Sequence, residues 1–482
     1  MKYNSQLTTK KTQLCLLILM TLSVCNVQAG IVKAGIDKAE QDQTKDYPEI
    51  PSILDIYNMA LEYDTTVSAT KYRTNAEKEA RAQAWASLLP KANVNVFTRI
   101  NDNTTETESG FFADESRYNE SGYSIALSQP IFNIPAYIGL SEAKLKIKKA
   151  ELTYLGQEQA LIGRVAQAYL NLIIAQSNLT VAETQQRSIE ELLQRAKLNF
   201  ELGTATISDT REAQAARDTV HARTMSRINE LKIAKHKLFT LTGKHIDDVE
   251  KLAVDLPLDI ETLQLPPLEG LTDLAVKTNL RLNISRIDHA LAKSSLYKIQ
   301  SSRLPTVDLI ATSGENNTNG SSFAGSGKID TDFYVVGAEL NMPLFAGGGI
   351  NSNARSAKNM VYSSDEQIKT VEKTIILELT EAYLNVELAQ SSVKAFREAV
   401  SSARLSLDST RLGFELGERT SLDVLAAQQT FYAAIRDHTE SQYNYLIASL
   451  GVNLSLGLIS VKDIIAIAEL IDDLNDTNTT NN

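Results

Sequence analysis

From Ala92 onward hydrophobic and polar positions alternate: Ala92, Val94, Val96, Thr98 and Ile100 stand opposite Asn93, Asn95, Phe97, Arg99 and Asn101. A period of two gives a strand one largely apolar and one largely polar face. A second run sets Tyr123, Ile125 and Leu127 against Ser124, Ala126 and Ser128. Two more follow much later, with Val307, Leu309 and Ala311 against Thr306, Asp308, Ile310 and Thr312, and Tyr334, Val336, Ala338 and Leu340 against Val335, Gly337, Glu339 and Asn341. Each predicts a strand of roughly ten residues, the length that crosses a bilayer when tilted, and the polar stretches between them read as long extracellular loops. Aromatic residues gather near the strand ends, at Phe111, Phe112, Tyr118, Tyr123 and Phe132, and again at Phe323, Phe333, Tyr334 and Phe345, as an interfacial belt would. A soluble hairpin with one wet face would show the same alternation.

The period then changes. From Pro135 to Leu202 no further proline occurs, and as one helix this segment would measure about 100 Å. Ile350 to Leu416 repeats the pattern. Positions 379, 382, 386, 389, 393, 396, 400 and 403 read Leu, Ala, Val, Ala, Val, Phe, Val, Ala, a coiled-coil seam. The first copy follows with Val165, Ala168, Leu172, Ala175, Leu179 and Ala182, departs at Gln186 and resumes at Ile189. Flanking positions are polar, which suits helices of a hollow wall. A plain antiparallel coiled coil also fits, but leaves unexplained why membrane-length strands lead straight into both helices. Shorter helices are predicted over 208–241 and 422–450, and amphipathic ones over 53–88 and 270–303.

Shifted by 214 residues against itself, the chain superposes Ala168-Tyr169-Leu170-Asn171 on Ala382-Tyr383-Leu384-Asn385, and Phe200-Glu201-Leu202-Gly203 on Phe414-Glu415-Leu416-Gly417. Asp209 falls on Asp423, and Ala213-Gln214 on Ala427-Gln428. Upstream, Leu89-Pro90 matches Leu304-Pro305 and Pro130-Ile131-Phe132 matches Pro343-Leu344-Phe345, with a drift of one residue. One supersecondary assembly has been duplicated. The expected divisions are a first repeat over 30–243, a linker over 244–270 broken by Pro257, Pro266 and Pro267, a second repeat over 271–457, and a terminal segment over 458–482 whose end from 472 looks disordered.

Residues 1–29 carry Lys2, Lys10 and Lys11, an apolar run from Leu14 to Val24, and Val27-Gln28-Ala29, the pattern of a secretory signal peptide cut after Ala29. A rival cut before Cys25 would leave a lipidated cysteine, but Val24 is bulky for it. Both cysteines, Cys15 and Cys25, lie in this segment, so disulfides and thiolate chemistry are excluded from the rest. Its removal takes three lysines and no acid, moving the formal charge from -11 to -14. Nucleic acid is a poor partner for such a surface. No unbroken apolar run is long enough for a spanning helix, so entry into a membrane would be by strands. His221, His236, His245, His289 and His438 form no HExxH pair or metal spacing, and surface or packing roles fit them. Gly347-Gly348-Gly349 lacks the lysine and hydroxyl of a phosphate loop and suits a tight strand-to-helix bend. Trp85 reads as a packing residue. Nothing points to an enzyme, a cofactor or a metal.

The combination resembles the TolC family of outer-membrane factors over nearly the whole mature chain. The resemblance rests on the paired Leu-Pro strand starts, Gln129-Pro130-Ile131-Phe132, Met342-Pro343-Leu344-Phe345, the turn Ala346-Gly347-Gly348-Gly349, and the run from Phe414 through Glu418-Arg419-Thr420-Ser421-Leu422-Asp423 to Leu425. It implies an α+β membrane protein: a homotrimer whose four strands per chain close a twelve-stranded β-barrel in outer-membrane lipid, continued across the periplasm by a helical coiled-coil tunnel. It further implies passive conduction for multidrug efflux or type I protein secretion, with a periplasmic adaptor and an inner-membrane RND or ABC pump engaging the tunnel's far end. Leu202-Gly203 and Leu416-Gly417 resemble the adaptor-docking grooves, although a glycine C-cap explains them equally well.

Both turns carry Thr-x-x-Asp, as Thr206 to Asp209 and Thr420 to Asp423. A capping box accounts for it, and so does a ring of carboxylates around a symmetry axis; the two roles are compatible. Asp423 leads as the constriction residue, followed by Asp209. Arg419, Ser208 and Phe414 match family positions in the network that holds the gate. Phe414 lacks the hydroxyl a tyrosine would bring, Ala426 stands where a second acid is common, and Glu212 is a substitute of unknown direction. Only the second turn carries the Glu418-Arg419 pair, so a three-fold gate moving at that turn is expected. A soluble periplasmic scaffold or adaptor is the other reading. The two are separated by extraction: the chain is expected to stay in the membrane pellet through salt and carbonate washes and to leave it only with detergent, whereas release by carbonate would favour the scaffold.

Overall fold

The alternating runs are β-strands, and they extend further than the sequence pattern predicts. In the computed structural model the described residues are 51–105, 114–204, 206–246, 265–322 and 325–469. The expected signal peptide, residues 247–264 of the expected linker, the tail from 470, and Phe111, Phe112 and Phe323 lie outside them. Three short helices come first, α1 (Ile53–Tyr63), α2 (Thr65–Lys78) and α3 (Ala80–Ala86), then β1 (Lys91–Thr105), β2 (Asp114–Phe132), α4 (Ile134–Glu201) and α5 (Ile207–Thr242). The second repeat has α6 (Leu268–Thr278), α7 (Leu280–Ser301), β3 (Thr306–Ser322), β4 (Gly325–Asn341), α8 (Gly349–Glu415) and α9 (Ser421–Leu456). Residues 461–469 add a short helix.

The strands have 15, 19, 17 and 17 residues rather than roughly ten. Much of what the pattern assigned to loops, such as 101–105 and 114–122, is paired strand, because an antiparallel ladder keeps gaining hydrogen bonds wherever both chains continue, whatever their side chains. The sheet order is β1-β2-β3-β4, antiparallel throughout. Register sets Ala92, Leu127, Ala311 and Val336 in one row and Val94, Ile125, Ser313 and Tyr334 in the next. The four predicted apolar faces are therefore one face, and it is open, with Val96 75% exposed. The other face carries Asn95, Ser124, Gly314 and Phe333 in a row. Phe333 thus leaves the belt expected of it: its ring lies over Gly314, as that of Phe97 lies over Gly122, on the polar side of the sheet.

Helix α4 starts where predicted, with Asn133 capping Ala136 N–H at 3.1 Å and Pro135 in the first turn. Gly347 and Gly348 take positive φ (57° and 80°) to bend β4 into α8. The 68 and 67 residues of α4 and α8 make rods about 100 Å long. Helix α9 reaches Leu456, beyond the predicted end at 450. Segments 53–88 and 270–303 are broken rather than continuous. Asp64 and Asn279 adopt extended backbone, ending one helix and capping the next.

These breaks anchor the shorter helices in both repeats. The Tyr63 ring lies over Gly243, the left-handed cap of α5 at φ +68°. Asn279 Nδ2 donates to Ser455 O at 2.9 Å, Thr278 Oγ1 to Leu456 O at 2.7 Å, and Gln159 Nε2 to Gly457 O at 2.8 Å, beside the equivalent cap of α9. Buried Asp64 pairs with Arg164 at 2.9 Å. Burial pushes its carboxyl up, but hydrogen bonds from Thr66 and Val67 and the guanidinium hold it below its ordinary value.

On the sheet side of these breaks α4 packs on α2, α3 and α7, and α7 on α8; beyond them α4 packs on α5 and α9, and α9 on α8. Each level is four helices wide. The predicted seams are buried at Leu379, Val386, Val393 and Ala403, and at Val165, Leu172, Ala175 and Ile189. The copies differ in width. Helix α4 has neighbours on both flanks and also buries Leu161, Ile162, Ala166, Tyr169 and Ile173, whereas α8 leaves Leu377, Leu384, Leu388, Leu405 and Leu412 largely exposed. Trp85, expected to pack, is 48% exposed.

Gly243→Ala is expected to cost about 2 kcal/mol or more, since a Cβ is unfavourable in the left-handed region and here would displace the Tyr63 ring. Gly457→Ala, whose nearest neighbour is 3.2 Å from the added atom, should cost less. Thermal unfolding in detergent tests the order, and equal losses would contradict the role of the Tyr63 contact.

Candidate functional site

The far ends of the two helix hairpins carry every residue expected at the gate or the docking grooves. Each long helix is stopped by a glycine in the left-handed conformation, Gly203 at φ +75° and Gly417 at φ +78°. Thr204 N–H then reaches back to Asn199 O, and Glu418 N–H to Gly413 O, both at 2.8 Å. Leu202 and Leu416, just before the glycines, project from the tip with 67% and 68% of their surface exposed.

Both Thr-x-x-Asp motifs are capping boxes. Asp209 N–H donates to Thr206 Oγ1 at 3.3 Å, while Asp209 Oδ2 accepts from Thr206 N–H at 2.9 Å and its hydroxyl at 2.7 Å. In the second turn the corresponding distances for Asp423 and Thr420 are 3.2, 2.9 and 2.9 Å. These bonds satisfy helix N-terminal donors that would otherwise be unpaired. They also set the carboxylates' acidity. Hydrogen bonds from Thr206, with a smaller one from Ser421, hold Asp209 below its ordinary value of 3.8; those from Thr420, aided by the Arg419 charge, do the same for Asp423.

One contact joins the two turns directly. Ser421 Oγ donates to Asp209 Oδ1 at 3.0 Å, and Ser421 is buried. Ser421 stands in the run that carries the family resemblance but has no role assigned there, although the duplication marks it: the matching position in the first repeat is Ile207, so the copies differ there. Arg419 is exposed, with its stem laid against Gly413 so closely that a Cβ there would come within 2.8 Å of Cγ. Ser208 is exposed in the first turn of α5. Phe414 packs instead of hydrogen-bonding. Its ring lies against a buried cluster of Ile189 and Leu192 from α4, Val220 from α5, and Val424 and Leu425 from α9, together with Ala216. Each such aliphatic side chain contributes roughly 1.5–3 kcal/mol on burial. Glu212 and Ala426 are both exposed. The histidines are scattered: His236 and His245 stack on Phe239, and His289 Nδ1 lies 2.9 Å from Ser364 Oγ, far from either turn in sequence.

A four-stranded sheet with one open apolar face, leading into helices about 100 Å long that end in capped tips, defines an outer-membrane channel with a periplasmic extension. Among solved structures, the outer-membrane protein VceC of Vibrio cholerae matches with a TM-score of 0.70 at 16% identity, over 84% of this chain and 96% of that one. Residues 56–244 and 271–458 match the family model for outer membrane efflux proteins, one block in each repeat, and the chain belongs to that family. It is 29% identical over 370 residues to the outer membrane protein TolC of Escherichia coli, covering 75% of this chain and 74% of that protein. It is 26% identical over 418 residues to the alkaline protease secretion protein AprF of Pseudomonas aeruginosa, covering 86% of each. The chain is thus an outer membrane efflux protein by family, and that family consists of outer-membrane channel proteins.

Because the fold lowers the pKa of Asp209, its stabilising contribution is present above the ordinary value near 3.8 and is lost as pH falls through the depressed folded value. Amide exchange at the start of α5 should accelerate as pH is taken from about 4 downward, beyond the intrinsic trend. Asp209→Asn should flatten that excess, and an unchanged profile would show that the carboxylate does not hold the turn.

Proposed function

We propose that three copies of the chain form a passive exit duct for multidrug efflux, type I protein secretion or both, docked to a periplasmic adaptor and an RND or ABC pump in the inner membrane. The observation that carries this reading is the sheet. Among the described residues β1 and β4 have no outer partner, and unpaired backbone groups in hydrocarbon cost several kcal/mol each, so the edges must pair with other copies. Eight strands from two copies would enclose a space filled by side chains; twelve leave a lumen. The exposed leucines of α8 support the same closure, since they form an unpartnered stripe on the helix at the margin of the layer. Four helices per level in each chain become twelve in the trimer.

Energy comes from the pump, and this chain supplies path and gate. Leu202 and Leu416 offer apolar contacts beside Gly203 and Gly417, whose missing side chains admit a partner's helix tip. Asp423, with Asp209, Ser208, Arg419 and Phe414 around it, contributes a ring of carboxylates that attracts cations and repels anions. The names of TolC and AprF support both cargo classes, because selection by the pump lets one duct serve either. A soluble scaffold would have no use for the exposed apolar face that holds Val94, Val96 and Ile100.

Asp423→Ala is expected to lower the cation preference of the pore in planar bilayers, read as a reversal potential moved toward zero under a salt gradient. Unchanged selectivity would remove Asp423 from the constriction.

A further inference from the structure

The sheet face opposite the open apolar one is largely polar, yet two phenyl rings lie on it. They come from opposite edges of the sheet, Phe97 from β1 and Phe333 from β4, and each leans inward onto a glycine of the next strand, Gly122 in β2 and Gly314 in β3. A Cβ at Gly122 would come within 3.2 Å of the Phe97 ring, and one at Gly314 within 2.8 Å of the Phe333 ring. Any other residue at either position would lift the ring off the wall. Register pairs Gly122 with Asn316 and Ser124 with Gly314, so the two glycines are diagonal neighbours on one face, about 7–8 Å apart. The rings therefore converge on the middle of the sheet. Both are half-buried, with surface left open on the polar side.

Arg99 brings charge to the same place. Its guanidinium carbon lies 4.7 Å from the centroid of the Phe97 ring, a cation–π contact, and the side chain is exposed. Glu120 stands directly across from it in the ladder, but the carboxylate is turned to another partner: Glu120 Oε1 accepts from Asn316 Nδ2 at 2.9 Å. Among the described residues no carboxylate forms an ion pair with Arg99. The guanidinium thus keeps its donors free beside an apolar surface.

We infer that Phe97, Phe333 and Arg99 form a binding patch on the inner wall of the barrel for aromatic anions in transit, with the ligand's ring on Phe333 and its carboxylate or sulfonate on Arg99. This rests on the trimeric-duct reading, in which that face lines the lumen and the patch recurs three times around it. An aromatic cation would meet a guanidinium already seated on Phe97, and a purely polar solute would leave Phe333 uncovered. The formal charge of the chain is -11, so a patch that prefers anions acts against the field of the molecule as a whole. That opposition makes the patch measurable.

The test uses the full chain in nanodiscs, with Trp85→Phe to remove its one tryptophan and Phe333→Trp as a reporter at the patch. Two nitroaromatic ions that quench tryptophan on contact are compared, para-nitrobenzenesulfonate and para-nitrobenzyltrimethylammonium. The sulfonate should half-quench at a concentration about fivefold below that of the ammonium ion, and Arg99→Gln should bring the two within about twofold. Phe97→Ser should raise the sulfonate's half-quenching concentration by about threefold. Equal quenching by the two ions, or a preference that survives Arg99→Gln, overturns the inference. Saturation transfer from the unsubstituted chain to the sulfonate's ring protons, lost in Arg99→Gln, tests the patch without a reporter, and no transfer from the unsubstituted chain overturns it too. Planar-bilayer conductance of the same preparations separates the two readings. A chain that forms no pore sinks the duct reading and the patch with it, whereas a conducting chain quenched alike by both ions sinks the patch alone.

Discussion

The rest of the molecule depends on the need to pair every backbone N–H and C=O that meets lipid. Four strands cannot close on themselves, and β1 and β4 present edges of 15 and 17 residues. An isolated chain is therefore an unfinished object in a membrane. The apolar row running from Ala92 through Leu127 and Ala311 to Val336 fixes which face meets lipid. The opposite face then lines the interior, which is why Phe97 and Phe333 lie flat over Gly122 and Gly314. A glycine on the neighbouring strand lets a large ring occupy an inner wall without standing into the lumen.

The helical part meets a different constraint. A rod about 100 Å long cannot be held by its ends, and a seam along its length must do so. The second seam is continuous and the first is interrupted at Gln186, and the helices they belong to differ in environment. Helix α4 runs inside the layer and is buried broadly, while α8 lies at its margin with Leu377, Leu384, Leu388, Leu405 and Leu412 exposed. Duplication supplied two similar units. Position in the layer made them unequal. The breaks at Asp64 and Asn279 serve both units alike, because each receives the glycine-capped end of a shorter helix and joins the two levels of the wall.

At the tips the inequality reaches the hydrogen bonds. Capping boxes form in both turns because Thr and Asp stand three apart at a helix start, a local rule that operates without tertiary help. What distinguishes the turns is which side chain the other repeat sends across. Ser421 reaches Asp209, whereas Ile207 has nothing to offer in return.

Local and periodic features were legible in the sequence. The alternation at Val94 and Ile125, the seam through Val386 and Val393, the capping threonines, the glycine stops and the 214-residue duplication are all set by spacing along the chain. Spacing under-read the strands, because ladder length depends on a partner strand that lies elsewhere in sequence. It also missed the helix breaks at Asp64 and Asn279, where a buried cap and a docked neighbour outweigh helical periodicity. Spacing along the chain carries the strand and helix periods, the repeat and the candidate carboxylates. The common face of the four strands, the turning of Phe333 inward, the packing of Phe414 into a core shared by four helices, and the bond from Ser421 to Asp209 arise only in the folded chain. Each of these joins residues brought together by strand register or helix packing, and contacts between distant segments leave no period to read.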